Sequence, residues 1–140
     1  MPNIKLMESS LPIAPLKIAA HASCIDLGKK VNDYIVSFRQ NTLTENHTSP
    51  LFRAYSTDNY LIDCDCPRFG TGESKGLLGE SIRGKDLFVM VDVCNYSLTY
   101  TVSGHLNHMS PDDHYQDLKR IISAANGKAH RVNVIMPFLY

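Results

Sequence analysis

The chain has 140 residues, with 14 Lys and Arg set against 14 Asp and Glu, 44% hydrophobic residues, four Cys and no Trp. That is the size of one globular domain with apolar material for a core, which excludes disorder. Neutrality argues against nucleic acid or an anionic membrane as a partner, since both select basic surfaces, and no apolar run approaches the roughly 18 residues of a membrane span.

The opening Met1-Pro2-Asn3-Ile4-Lys5 lacks the charged and apolar regions of a secretory signal, so a cytoplasmic protein is expected. Cys24, Cys64, Cys66 and Cys94 are irregularly spaced and read as free thiols, not as a disulfide framework. The sequons at Asn46 and Asn95 are then chance matches.

Leu16 to Ala20 is a short apolar run after Pro12 and Pro15 and is expected to be a strand. Ser23 with Asp26 resembles a capping box, and Leu27, Val31, Tyr34, Ile35 and Phe38 follow at helical spacing, predicting an amphipathic helix from Cys24 to Arg39. Gln40 to Pro50 is a polar loop. Leu51 to Tyr55 and Tyr60 to Asp63 read as strands of a hairpin about Ser56-Thr57-Asp58-Asn59. Five glycines interrupt regular structure between Pro67 and Gly84. Leu87 to Val93, apolar but for Asp92, has the pattern of a strand buried on both faces of a parallel sheet.

A loop is expected from Cys94 to Met109, then a helix capped by Ser110 with Pro111, Asp112 and Asp113 in its first turn. Tyr115, Leu118, Ile121, Ile122 and Ala125 supply its buried stripe, and Asn126-Gly127 ends it. Val132 to Met136 is the last strand. Strand, helix and strand in this order make an α/β fold on a parallel sheet, with no internal repeat or linker. The sequence stops on an apolar strand and lacks the loop beyond its carboxyl end, where such sheets bind ligands, so a longer protein is expected.

Candidate chemistry is sparse. Gly70-Thr71-Gly72-Glu73-Ser74-Lys75-Gly76 fails the dinucleotide fingerprint, which needs glycine where Lys75 stands, and fails the Walker A order of Gly-Lys-Ser/Thr; a flexible loop is expected. His105, His108 and His114 with Asp112 and Asp113 could bind a transition metal, but the acids are already used as helix caps, so solvated polar residues are expected. Cys64-Asp65-Cys66 has no second thiolate pair, so no closed zinc site is expected there.

Three ordered segments resemble one family. Arg68-Phe69-Gly70-Thr71-Gly72-Glu73, then Gly79 through Val89 (GESIRGKDLFV), then Val134 through Tyr140 (VIMPFLY) are similar to the Arg-Phe-Ser-Asp-Gly-Glu, Glu-Ser-Val-Arg-Gly-Lys-Asp-Val-Phe and Val-Ile-Pro-Tyr-Phe-Gly-Tyr segments of ribose-phosphate pyrophosphokinases, the PRPP synthases. The resemblance runs from Pro67 to Tyr140, and Leu16 to Phe38 fits the first βα unit in pattern. It implies a phosphoribosyltransferase-like, Rossmann-like fold with a hairpin or flag insertion, residues 1–140 being the N-terminal domain of a longer two-domain enzyme. It implies Mg²⁺-dependent diphosphoryl transfer from ATP to the anomeric hydroxyl of ribose 5-phosphate, in a homo-oligomer. By position, Phe69 would stack on adenine and Glu73 would hydrogen-bond its polar edge, while Thr71 departs from the family's Asp or Asn at a third adenine contact. Leu139 replaces a Gly, and residues 40–50 and 94–109 look like insertions. The family's catalytic groups follow the position of Tyr140, so none is expected in this chain, which alone would be inactive. A non-catalytic relative kept for oligomerisation or regulation is the alternative; an unrelated α/β nucleotide-binding module is a third reading.

Overall fold

The structure, a computed structural model, describes residues 13–43 and 57–139. The expected strand at 51–55 and most of the loop at 40–50 lie outside the described residues, and with them the first half of the expected hairpin; its second strand, at 60–63, is described and pairs with the first strand of the main sheet.

The first apolar run forms β1 (Leu16–Ala20), followed by a single 3-10 turn (Ala22–Cys24) that leads into α1 (Ile25–Leu43). The chain returns as β2 (Leu61–Ile62), which pairs parallel with β1. A small antiparallel pair, β3 (Cys64–Asp65) with β4 (Leu77–Leu78), brackets the glycine-rich stretch. Next come β5 (Asp86–Met90), an antiparallel hairpin of β6 (Thr99–Val102) and β7 (His105–His108), α2 (Pro111–Ala125) and β8 (Arg131–Ile135). The main sheet has the order β2-β1-β5-β8 and is parallel throughout.

Because strand side chains alternate faces, each strand feeds two cores. Ile18, Ala20 and Met90 pack with Cys24, Tyr60, Val31 and Ile35 on the α1 side. Ala19, Leu87, Val89 and Val91 pack with Leu118, Ile121 and Ala125 on the α2 side. The helices therefore cover opposite faces, the layered arrangement expected for a parallel sheet.

Several boundaries differ from the sequence reading. His21, not Ser23, caps the 3-10 turn, its ring accepting from the backbone N–H of Ser23. Within the expected loop at 94–109 a β-hairpin forms, because Ser103 and Gly104 take positive φ values of 51° and 81°, the left-handed pair that a tight two-residue turn requires. β5 starts one residue earlier, on the buried Asp86, whose carboxylate accepts two bonds from Arg131 at 2.8 and 2.5 Å and one from Asn133 at 2.9 Å. That bidentate pair ties β5 to β8 at their amino ends. β8 is an edge strand among the described residues, and Val132, Val134 and Ile135 are exposed on it.

Helix α2 keeps the predicted capping box, with Ser110 and Asp113 bonding reciprocally, and ends in a left-handed Asn126. Its buried face, however, runs through His114, Asp117, Leu118, Ile121 and Ala125, leaving Tyr115 and Ile122 more than a third exposed. The inward face thus begins with two polar residues and ends with apolar ones.

α1 seats closely on β1 at Gly28, where an added Cβ would stand 2.6 Å from the Cβ of Ala20. Gly28→Ala is predicted to lower the urea midpoint, because overpacking of about 1–3 kcal/mol outweighs a helix-propensity gain of about 1 kcal/mol. A raised midpoint in equilibrium unfolding would show that the helix does not sit there.

Candidate functional site

Backbone pairing carries one residue past β1: the N–H of His21 donates to the carbonyl of Met90 at 2.9 Å, which places the imidazole at the carboxyl end of the sheet, buried. Its Nδ1 lies 2.8 Å from Ser23 Oγ, and that hydroxyl accepts from the backbone N–H of Asp92 at 3.1 Å. The amide of Asn95 donates to the carbonyl of Ser23 at 3.0 Å. Thus the segments leaving β1 and β5 are stitched together around one imidazole.

The other wall is the first half of α2. Positions 114 and 117 are three apart, so they share the helix face that continues as Leu118 and Ile121, and burial of that face takes both polar side chains inward. Asp117 is 1% exposed. Its Oδ2 accepts from Arg68 NH2 at 3.0 Å and faces His21 Nε2 at 3.5 Å, while its Oδ1 accepts from the Ser74 hydroxyl. Arg120 donates to Ser74 Oγ at 2.7 Å and stands 3.8 Å from Oδ1. Burial by itself would raise the carboxyl's pKa, but the hydrogen bonds from His21 and Ser74 and the charge of Arg68 prevail and hold it below the ordinary carboxylate range.

Arg68 reaches in three directions. Besides Asp117, it donates to the carbonyl of Gly72 at 3.2 Å and lies over the Tyr100 ring, 4.6 Å from its centre. The glycine-rich loop, the β6–β7 hairpin and α2 therefore meet on one guanidinium. Loop and helix can come this close because residue 76 is glycine: a Cβ there would overlap the backbone carbonyl of Arg120.

Between these walls lies a cavity of about 160 Å³, lined by His21, Asp65, Cys66, Arg68, Tyr100 and Asp117, among others. The thiol of Cys66 is pushed up to about 12 by burial and by the Asp117 carboxylate, and that of Cys64 to about 12 by burial and Asp65. Both are protonated at neutral pH, which removes them as nucleophiles. His114 donates from Nε2 to the carbonyl of Asn95 at 2.7 Å, and its buried Nδ1 has no partner among the described residues. Burial lowers its pKa, so the ring is neutral.

Phe69, Thr71 and Glu73 occupy one tight turn. The N–H of Phe69 donates to the carbonyl of Glu73 at 2.8 Å, that of Gly72 donates back to Phe69 at 2.9 Å, and Arg68 bridges Ser74 at the base. Phe69 is 51% exposed and forms a wall of a second, open groove of about 320 Å³ with Ser74, Lys75, Gly76 and Arg120. Thr71 and Glu73 are exposed on the turn and do not line that groove.

The other candidates do not gather. His105 and His108 lie exposed on β7, where His108 stacks on Tyr96 at 4.6 Å, while His114 faces the interior and Asp113 serves the cap. Sequence reasoning missed His21, Arg68, Ser74, Asp117 and Arg120 as one cluster. One signal was present: His114 and Asp117 sit at helical spacing on the stripe of Leu118, Ile121 and Ala125, where a polar pair has no place unless it is satisfied inside.

Residues 16–140 match the family model of the N-terminal domain of ribose phosphate pyrophosphokinase. Comparison with curated proteins finds no match. No helix among the described residues is long and apolar enough to cross a membrane.

Because Asp117 has a lowered pKa, its contribution to stability is complete above the unfolded-state value of about 4 and is lost as pH falls through the lower folded value. Asp117→Asn is expected to cost about 3 kcal/mol at neutral pH, since the largely buried Arg68 loses its nearer counter-charge and keeps only Asp113 at 3.8 Å. The gap between variant and parent should narrow in denaturant titrations below pH about 4. A gap independent of pH would show that the carboxylate's charge is not what holds the cluster.

Proposed function

Since the chain belongs to the ribose phosphate pyrophosphokinase family, matching its N-terminal domain, we propose that it forms the adenine-binding side of an enzyme that transfers a diphosphoryl group from ATP to ribose 5-phosphate. One observation supports this reading above others. An aromatic ring that would ordinarily be buried, Phe69, stands half-exposed on a turn braced by four backbone and side-chain bonds, on a groove also lined by Lys75 and Arg120. A planar apolar face beside cationic side chains suits a nucleotide, with the base against the ring and the anionic end toward the cations. In this reading Phe69 stacks on the base, while Glu73 and Thr71, exposed on the turn outside the groove, meet only a polar edge of the base that projects beyond it, Glu73 with a carboxylate and Thr71 with a hydroxyl.

Diphosphoryl transfer also requires Mg²⁺ to offset charge on the phosphates. The donor set described above does not fit that ion, because an imidazole and a thiol stand beside Asp117, whereas Mg²⁺ takes oxygen ligands in octahedral order. We therefore assign Mg²⁺ to the polyphosphate itself, and place the reacting groups in the remainder of a two-domain enzyme, the 140-residue chain alone being inactive. Association into a homo-oligomer belongs to the same proposal. It is supported by the apolar side chains of Val132, Val134, Ile135, Phe138 and Leu139, all exposed on β8 and the segment after it. A cytoplasmic location accords with the four free cysteines.

Phe69→Ala in the complete enzyme is expected to raise KM for ATP by about 5- to 150-fold, corresponding to a lost base-stacking contact of about 1–3 kcal/mol, with little change in KM for ribose 5-phosphate. An unchanged ATP dependence in steady-state kinetics would remove Phe69 from the nucleotide site.

A further inference from the structure

Independently of the diphosphokinase reading, we propose that His21, Cys66 and Asp117 form a binding site for a single divalent transition metal of the zinc class. One ligand atom from each lies within 4.8 Å of the others, and they come from three different parts of the fold: the end of β1, the segment after β3 and helix α2. Nothing in the chain's local order brings them together.

The spacing is near what the ion needs. Zinc bonds of about 2.0 to 2.3 Å arranged tetrahedrally put neighbouring donors roughly 3.3 to 3.8 Å apart. His21 Nε2 and Asp117 Oδ2 already stand 3.5 Å apart, and the widest pair has to close by about 1 Å. Imidazole, thiolate and carboxylate together select a borderline-soft ion with no demand for octahedral oxygen, which separates this site from one for Mg²⁺ or Ca²⁺.

The surrounding shell is that of a ligand set held in advance. Without the ion His21 Nδ1 accepts from the Ser23 N–H and Nε2 faces Asp117. On binding, the ring proton moves to Nδ1 and is donated to Ser23 Oγ, 2.8 Å away, which leaves the Nε2 lone pair to face the ion. Ser74 and Arg68 fix the carboxylate through one oxygen each. On binding, the metal–sulfur bond forms as the S–H bond breaks and the proton leaves to solvent. Thiolate and carboxylate then offset the ion's two charges, and Arg68 retains Asp113 at 3.8 Å. The fourth position opens onto the cavity of about 160 Å³, which holds several waters at about 30 Å³ each. An open fourth position is the pattern of a site that keeps an exchangeable water.

Titrating the 140-residue chain with Co²⁺ under a non-chelating reductant tests the site. The expected result is a thiolate-to-cobalt charge-transfer band with the intense visible bands of four-coordinate cobalt, saturating at one ion per chain and abolished by Zn²⁺. Cys66→Ser should remove the charge-transfer band and weaken Zn²⁺ by more than about tenfold in calorimetry, and His21→Gln should weaken Zn²⁺ comparably while keeping the band. Cys64→Ser and Cys94→Ser should leave both readouts unchanged. No band in the parent, a band that survives Cys66→Ser, or one that disappears with Cys64→Ser overturns the proposal. If Cys66→Ser fails to fold by circular dichroism, His21→Gln decides, and unchanged Zn²⁺ affinity there overturns it.

Discussion

The buried carboxylate of Asp117 is the constraint around which the rest of the molecule is arranged. A carboxylate at 1% exposure is tolerable only if its charge is met and its lone pairs are used, since leaving either undone costs several kcal/mol. The chain meets that demand with four residues from three places: His21 past β1, Arg68 and Ser74 from the glycine-rich stretch, and Arg120 one turn further along α2. His21, Arg68 and Ser74 in turn fix segments that have little regular structure of their own. The site is therefore the joint at which loop, hairpin and helix are held to the sheet.

That arrangement explains how a neutral chain presents a locally cationic surface. Arg68 and Arg120 turn inward toward Asp117, yet Arg120 also borders the open groove beside Phe69 and Lys75. The same loop thus has an inner edge that satisfies a buried charge and an outer edge that displays an aromatic ring. Gly76 makes this possible by letting the loop lie directly on the α2 backbone. The nucleotide reading and the metal reading concern these two edges of one loop, and the bonds of Arg68 and Ser74 connect them mechanically.

Placement at the sheet's carboxyl end has its own logic. In open α/β sheets the strands deliver side chains to that end and the loops there are free to vary, so polar groups collect where ligands bind. His21 stands just beyond β1, and Ser23 and Asp92 stand beside it, so this domain follows that rule. Membership of the ribose phosphate pyrophosphokinase family accords with a parallel sheet of this kind.

Most elements of the fold were legible in the sequence because they rest on local periodicity. Strand β1, the α1 pattern, the capping box at Ser110 and the Asn126 stop follow from side-chain spacing and turn chemistry alone, whereas the place of β2, read as part of a hairpin, beside β1 in the parallel sheet does not. The family's Phe69 turn was legible too, as a string of residues. The hairpin at 99–108 was not: Thr99–Val102 alternates over only four residues, and His105–His108 is exposed throughout and carries no matching pattern. Nor was the inner cluster: Asp117 has a sign in its helical spacing on the stripe of Leu118 and Ile121, but polar residues at 21, 68, 74 and 120 carry none in one dimension. Only tertiary packing decided that α2 would turn His114 and Asp117 inward in place of Tyr115 and Ile122, because the helix rotates to the angle at which the buried acid finds Arg68 and Ser74. Sequence by itself determined most of the elements and their order along the chain, through interactions a few residues apart; the site arose where a charge on α2 met partners from the end of β1, the glycine-rich stretch and its own helix.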